Sequence, residues 1–152
     1  MRRIGIIIAT GLVMLTLGAA PAMAAPSPVT IVATHSNVDP AQDVATFTAE
    51  GAGLCPTGSV YVVGAMATGG RSAHDNFLVI QAFVCDAAGG FTNDDYFIVR
   101  IEAHTTAGAP TDYGTWQIAG SGDQLAGLKG TGTLVGVGTG AGITDYLCGR
   151  VQ

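Results

Sequence analysis

Charge is scarce in this chain, and positive charge is scarcest. Only 11% of residues are charged, with 6 Lys and Arg against 11 Asp and Glu, for a formal net charge of −5. No basic cluster follows Arg2 and Arg3, so a polyanion such as nucleic acid is excluded as a partner. Helix-forming polar residues are thin, and no window holds a 3.6-residue apolar period, which excludes a helical framework. After the opening segment no apolar run approaches the roughly 20 residues of a bilayer span, so no integral membrane segment is expected there. Despite 23 glycines there is neither a G-x-G-x-x-G loop nor a Walker pattern, and nucleotide binding is excluded. His35, His74 and His104 fall on separate segments without H-x-H, H-x-x-x-H or paired-cysteine spacing, and Asp94 with Asp95 supplies too few carboxylates for calcium. No metal and no cofactor is expected.

What is present begins with an address. Arg2 and Arg3, the apolar run 4–17 and the small-residue pattern Ala22-Met23-Ala24 read as a signal peptide over 1–24, cleaved after Ala24. Its loss removes two of the basic residues and deepens the negative charge. The expected product, residues 25–152, has the size of one domain with one core and works outside the cytoplasm.

Ala, Gly, Val and Thr dominate this region and favour strands and tight turns. Alternation and turn chemistry divide it into eight short strands, at 29–34, 44–50, 59–66, 77–85, 95–104, 115–119, 131–137 and 143–151. Eight such strands indicate an all-β barrel or sandwich. Along 96–104, Phe97, Val99, Ile101 and Ala103 share one face, and Tyr96, Ile98, Arg100, Glu102 and His104 share the other. The apolar face is expected to point inward, because small barrels fill themselves with side chains. Glycines crowd the last third, where they permit sharp bends or the close approach of another backbone.

The cysteines are Cys55, Cys85 and Cys148, so at most one internal bridge forms, with three pairings open. If 59–66 and 77–85 make a hairpin with Met66 near Phe77, residue 58 lies opposite Cys85. The turn Pro56-Thr57-Gly58 then folds Cys55 back onto it, so the expected disulfide is Cys55–Cys85. Cys148, on the last strand, reads as a small buried hydrophobe.

Candidate chemistry is sparse. Arg100, Glu102 and His104 on one strand face could project an anion holder, an acid and a base together into a barrel mouth. The plainer reading is a solvated outer face with a mild charge pairing. Ser72, His74 and Asp75 are the residue types of a hydrolase triad, but so close in one loop they read as a hairpin turn.

The stretch Gly114-Thr-Trp-Gln-Ile-Ala-Gly-Ser-Gly-Asp-Gln-Leu-Ala-Gly-Leu-Lys-Gly-Thr-Gly-Thr-Leu134, followed by Ile143-Thr-Asp-Tyr-Leu-Cys-Gly149, resembles a pattern of small exported bacterial proteins. That pattern in turn resembles the allene oxide cyclase and dirigent-like β-barrels. Leu125 stands where an aromatic commonly precedes Ala-Gly-Leu, and none of the family's catalytic residues maps onto this chain. The resemblance therefore implies a fold: a single antiparallel eight-stranded closed barrel, often oligomeric, with an axial cavity. Trp116 and Tyr146, in and beside these stretches, are candidates to line an apolar pocket. The leading expectation is a secreted binding or interaction module, with a small apolar ligand and a homo-oligomer as its open partners. The alternatives are an isomerase- or cyclase-type enzyme acting on a hydrophobic substrate in the barrel, and a structural or surface-associated protein whose barrel is solid.

Overall fold

The computed structural model describes residues 25–36, 44–68, 74–106 and 108–152. The expected signal peptide, 1–24, lies outside them, as do residues 69–73 of the β-turn and triad-like segment. Eight strands follow one another: β1 (Ser27–His35), β2 (Val44–Glu50), β3 (Thr57–Thr68), β4 (His74–Cys85), β5 (Tyr96–Thr106), β6 (Thr111–Gly122), β7 (Gly130–Thr139) and β8 (Gly142–Val151). Each pairs antiparallel with the next, and β1 closes on β8, so the fold is an all-β, closed eight-stranded barrel. A 3-10 turn at Asp123–Leu125 interrupts the strand succession between β6 and β7. No helix among the described residues is long and apolar enough to cross a membrane.

Strand β6 departs most from the expected span of 115–119, because its ladder to β5 continues through Gly114, Gly120 and Gly122. Glycine reads locally as a break, but pairing with β5, and at Gly114 with β7 as well, holds the backbone extended here. In the β3–β4 hairpin Gly58 faces Cys85 as expected. A bulge between Val62 and Gly64 then shifts the upper half by one residue, so Met66 faces Leu78 rather than Phe77.

Eight strands enclose a lumen just wide enough for side chains. Inward alternation on β5 buries Phe97, Val99, Ile101 and Ala103. The rings of Phe83 and Phe97 stack at 4.8 Å, and Phe47 meets Phe83 edge-on at 5.2 Å. Trp116 is buried from β6, its indole N–H donating to the Cys148 carbonyl at 3.3 Å. Such aromatic burial contributes about 1.5–3 kcal/mol per side chain. Room for the indole comes from β7 and β8. A Cβ on Gly132 would stand 2.6 Å from Trp116 Nε1, and one on Gly149 would stand 2.6 Å from its Cζ2. The late glycines thus serve close approach, as the sequence reading anticipated.

One end of the barrel is sealed. Cys55 and Cys85 are bonded, with Cα atoms 5.8 Å apart, and Leu54 and Leu125 are buried beside this end. Asp95, buried ahead of β5, accepts from Thr92 N at 2.7 Å, Thr92 Oγ1 at 3.1 Å, Gln124 N at 2.8 Å and Gln124 Nε2 at 3.1 Å. The Thr92 backbone N–H leads the bonds that hold this carboxyl below the usual carboxylate range, against the opposing pull of burial. The carboxylate ties the β4–β5 connection to the 3-10 turn and spans two loops with one side chain. Cys148 corrects the reading of a buried hydrophobe: it faces outward and is exposed, because inward alternation on β8 falls to Leu147 and Gly149.

Candidate functional site

The chemistry gathers at the other end, inside the lumen. β1 ends there and β6 and β8 begin there, so His35, Asp112 and Asp145 arrive together on the inward face. Asp145 pairs with inward Ala33 on one side and Gly136 on the other, and Asp112 pairs with Gly136 across the next ladder. Cross-strand partners point to one side of a sheet, so both carboxylates lean over the same glycine. A Cβ on Gly136 would stand 2.9 Å from Asp145 Oδ1 and 3.4 Å from Asp112 Cβ. Asp112 is half-buried, and its carboxylate has no partner among the described residues.

From the facing wall, β4 supplies Gln81, which is 3% exposed. Its Nε2 lies 3.4 Å from His35 Nε2, and the same imidazole nitrogen lies 3.5 Å from Asp145 Oδ2. His35 and Asp145 side chains are 10% and 14% exposed, so this contact is largely withdrawn from solvent. One nitrogen therefore meets a donor on one side and an acceptor on the other. As a bare nitrogen it accepts from Gln81; carrying a proton, it donates to Asp145. Gln81 Oε1 is buried without a hydrogen-bond partner among the described residues. Turning the amide over only exchanges its ends, so either orientation leaves one buried polar group unpaired. An unmade bond of this kind costs about 1–3 kcal/mol, and a native structure that retains one calls for a reason.

The residues expected to bind do not come together at this site. Arg100 and Glu102 form an ion pair on the outer face of β5, with side chains 40% and 55% exposed. His104 lies farther along the same face, 6.4 Å from the Tyr113 ring on β6. With Thr115 and Val135, Glu102, His104 and Tyr113 line an open outer groove of ≈ 820 Å³. Arg100, Glu102 and Gln117 border a smaller hollow of ≈ 340 Å³ beside it. Trp116 is core, and Tyr146 is exposed on the outer face of β8. The outer ion pair is exposed to solvent.

Sequence reasoning weighed His35 only as a metal ligand, and among the described residues no group of three or more His, Cys, Asp or Glu could hold a metal ion. Asp145 stood in the stretch that carried the family resemblance, without a role. Gln81 was missed, although a signal existed: it is the lone polar residue in Phe77-Leu-Val-Ile-Gln-Ala-Phe-Val-Cys85, on the face shared with Phe83. No family model matches this chain, and neither does any curated protein or solved structure.

Proposed function

We propose that this is an exported barrel of the allene oxide cyclase-like kind that binds a small ligand in the lumen mouth formed by His35, Gln81, Asp112 and Asp145. The observation that carries the reading is the buried amide oxygen of Gln81, which has no hydrogen-bond partner among the described residues. A buried polar atom without a partner among the described residues, in the lumen beside the His35–Asp145 contact, is the arrangement of a site whose hydrogen bonds are completed by a guest. The disulfide is compatible with an oxidising, extracytoplasmic location.

Chemical-shift mapping of 15N-labelled protein against a small-molecule library tests this reading. The expected hits move the amides of Gln81, Gly136 and Asp145. Hits confined to the outer groove around Glu102 and Tyr113 would transfer the function to that face.

One observation favours the isomerase- or cyclase-type alternative: the His35 ring nitrogen beside Asp145 in a sheltered lumen. A histidine next to a carboxylate is an arrangement suited to moving a proton on a bound substrate. Under that alternative, a mouth ligand is recovered chemically altered from the native protein and unaltered from His35→Gln. Recovery unchanged from both would leave binding alone.

A further inference from the structure

We propose that the outer groove over β5, β6 and β7 is a second binding site, independent of the lumen mouth, and that its ligand is a neutral, extended β-linked oligosaccharide laid across the strands. The geometry comes from three neighbouring rows of the sheet. His104, Tyr113 and Val135 pair in one row, and their outward side chains form one bank. Glu102, Thr115 and Thr133 pair in a second outward row and form the other bank. Between them runs the row of Ala103, Gly114 and Leu134, whose side chains point into the barrel or are missing, so the floor is backbone. The result is a trough of ≈ 820 Å³ that crosses the strands. Its first bank begins at Asn76 on β4 and continues past Val135 to Tyr146 on β8. At the usual strand spacing of about 4.8 Å that bank is about 19 Å long, and a linear β-linked glycan advances by close to one such interval per ring.

The lining has the chemistry to hold a sugar rather than an ion or a peptide. Along the first bank the rings of His104 and Tyr113 stand 6.4 Å apart, and Tyr113 and Tyr146 are 51% and 43% exposed. An aromatic ring left in water offers an apolar face and a polar tip, which suit the C–H face of a pyranose and the hydroxyls around it. Along the second bank Thr115 and Thr133 are exposed, and each hydroxyl both donates and accepts, as every sugar hydroxyl does. Glu102 is joined by Arg100, so an acceptor stands beside donors. Vicinal hydroxyls answer both at once, donating to the carboxylate and accepting from the guanidinium. A charged ligand has instead to compete for one half of a pair already made. No other Asp, Glu, Lys or Arg among the described residues lines the groove or the hollow beside it. A peptide strand has no sheet edge to join, because the barrel is closed.

The test titrates cellotetraose into 15N-labelled wild-type protein, beside maltotetraose, which coils, and two charged β-linked tetramers, tetraglucosamine and tetramannuronate. Cellotetraose is expected to shift the amides of Tyr113, Thr115 and Thr133 and to leave those of Gln81 and Gly136 unmoved. The coiled and the charged tetramers are each expected to bind about tenfold more weakly. Tyr113→Ala is expected to weaken cellotetraose about tenfold, and Tyr113→Phe, which keeps the ring, to stay within about threefold of wild type. A coiled or charged tetramer that binds the groove as tightly as cellotetraose overturns the assignment. Cellotetraose binding that Tyr113→Ala leaves unchanged overturns it as well, and so does cellotetraose that moves no amide of the groove. Shifts at Gln81 and Gly136 in place of the groove would hand the sugar to the lumen, overturning this site while upholding the lumen reading. Should Tyr113→Ala not fold, the ranking of the four probes on the wild type decides alone.

Discussion

The indole of Trp116 and the bare backbone of Gly149 share one space: a Cβ on Gly149 would stand 2.6 Å from Trp116 Cζ2 and 2.2 Å from the Thr131 carbonyl oxygen. Neither neighbour can withdraw, since one is a buried ring and the other is backbone. Gly149→Ala is therefore expected to destabilise the barrel by about 1–3 kcal/mol, the usual range for overpacking. Gly120→Ala is the matched control, because its Cβ would meet only Ile98 Cδ1, at 3.8 Å. It is expected to stay within about 0.5 kcal/mol of wild type. Urea midpoints of the two variants check the contrast.

The Cys55–Cys85 bridge joins residues 30 apart in sequence and fastens the β2–β3 connection to the end of β4. On the chain-entropy account such a loop contributes roughly 3.5 kcal/mol. The double variant Cys55→Ala/Cys85→Ala is expected to lose about that much in urea unfolding, and reductant is expected to lower wild-type stability while leaving the double variant unchanged.

Asp95 makes stability depend on pH in one direction. Its folded-state carboxyl is held below the ordinary range, first by the Thr92 backbone N–H, so the unfolded chain takes up its proton at the higher pH. The stabilisation is complete above the unfolded carboxylate pKa of about 4 and is lost as pH falls through the folded value. Asp95→Asn is expected to unfold at a lower urea concentration than wild type at neutral pH. The two curves should converge as the medium is acidified below that range, and a gap independent of pH would contradict the assignment.

The outer pair Arg100–Glu102 is expected to matter little. Both side chains are well exposed, and such pairs contribute about 0.2–1 kcal/mol. Glu102→Gln should leave the urea midpoint nearly unchanged and the mouth resonances in place.

The barrel was legible because its signals are local. Alternation along β5 separated Phe97, Val99 and Ile101 from Arg100 and Glu102, and turn residues marked the hairpins. The disulfide followed from one hairpin register, and the bulge that shifts this register lies above Gly58 and spares it. The mouth was not legible, because its members come from four strands. His35 and Gln81 are 46 residues apart and meet only when β1 and β4 face each other across a closed lumen. Asp112 and Asp145 become neighbours only because β7 presents a glycine between them. A pattern confined to one strand favoured Arg100, Glu102 and His104 instead, and alternation turned that face outward.

Gln81 bears on the central claim most directly, and its test needs no knowledge of the ligand. If its amide is retained for a guest, then Gln81→Leu removes a buried unpaired polar group and fills the same space with carbon. Stability of protein refolded from denaturant, and so stripped of ligand, is expected to rise by about 1 kcal/mol. Urea unfolding of the refolded wild type and Gln81→Leu is the measurement. A higher midpoint for the variant is the predicted result. A midpoint clearly below wild type would make Gln81 a structural residue and contradict the lumen mouth as a binding site.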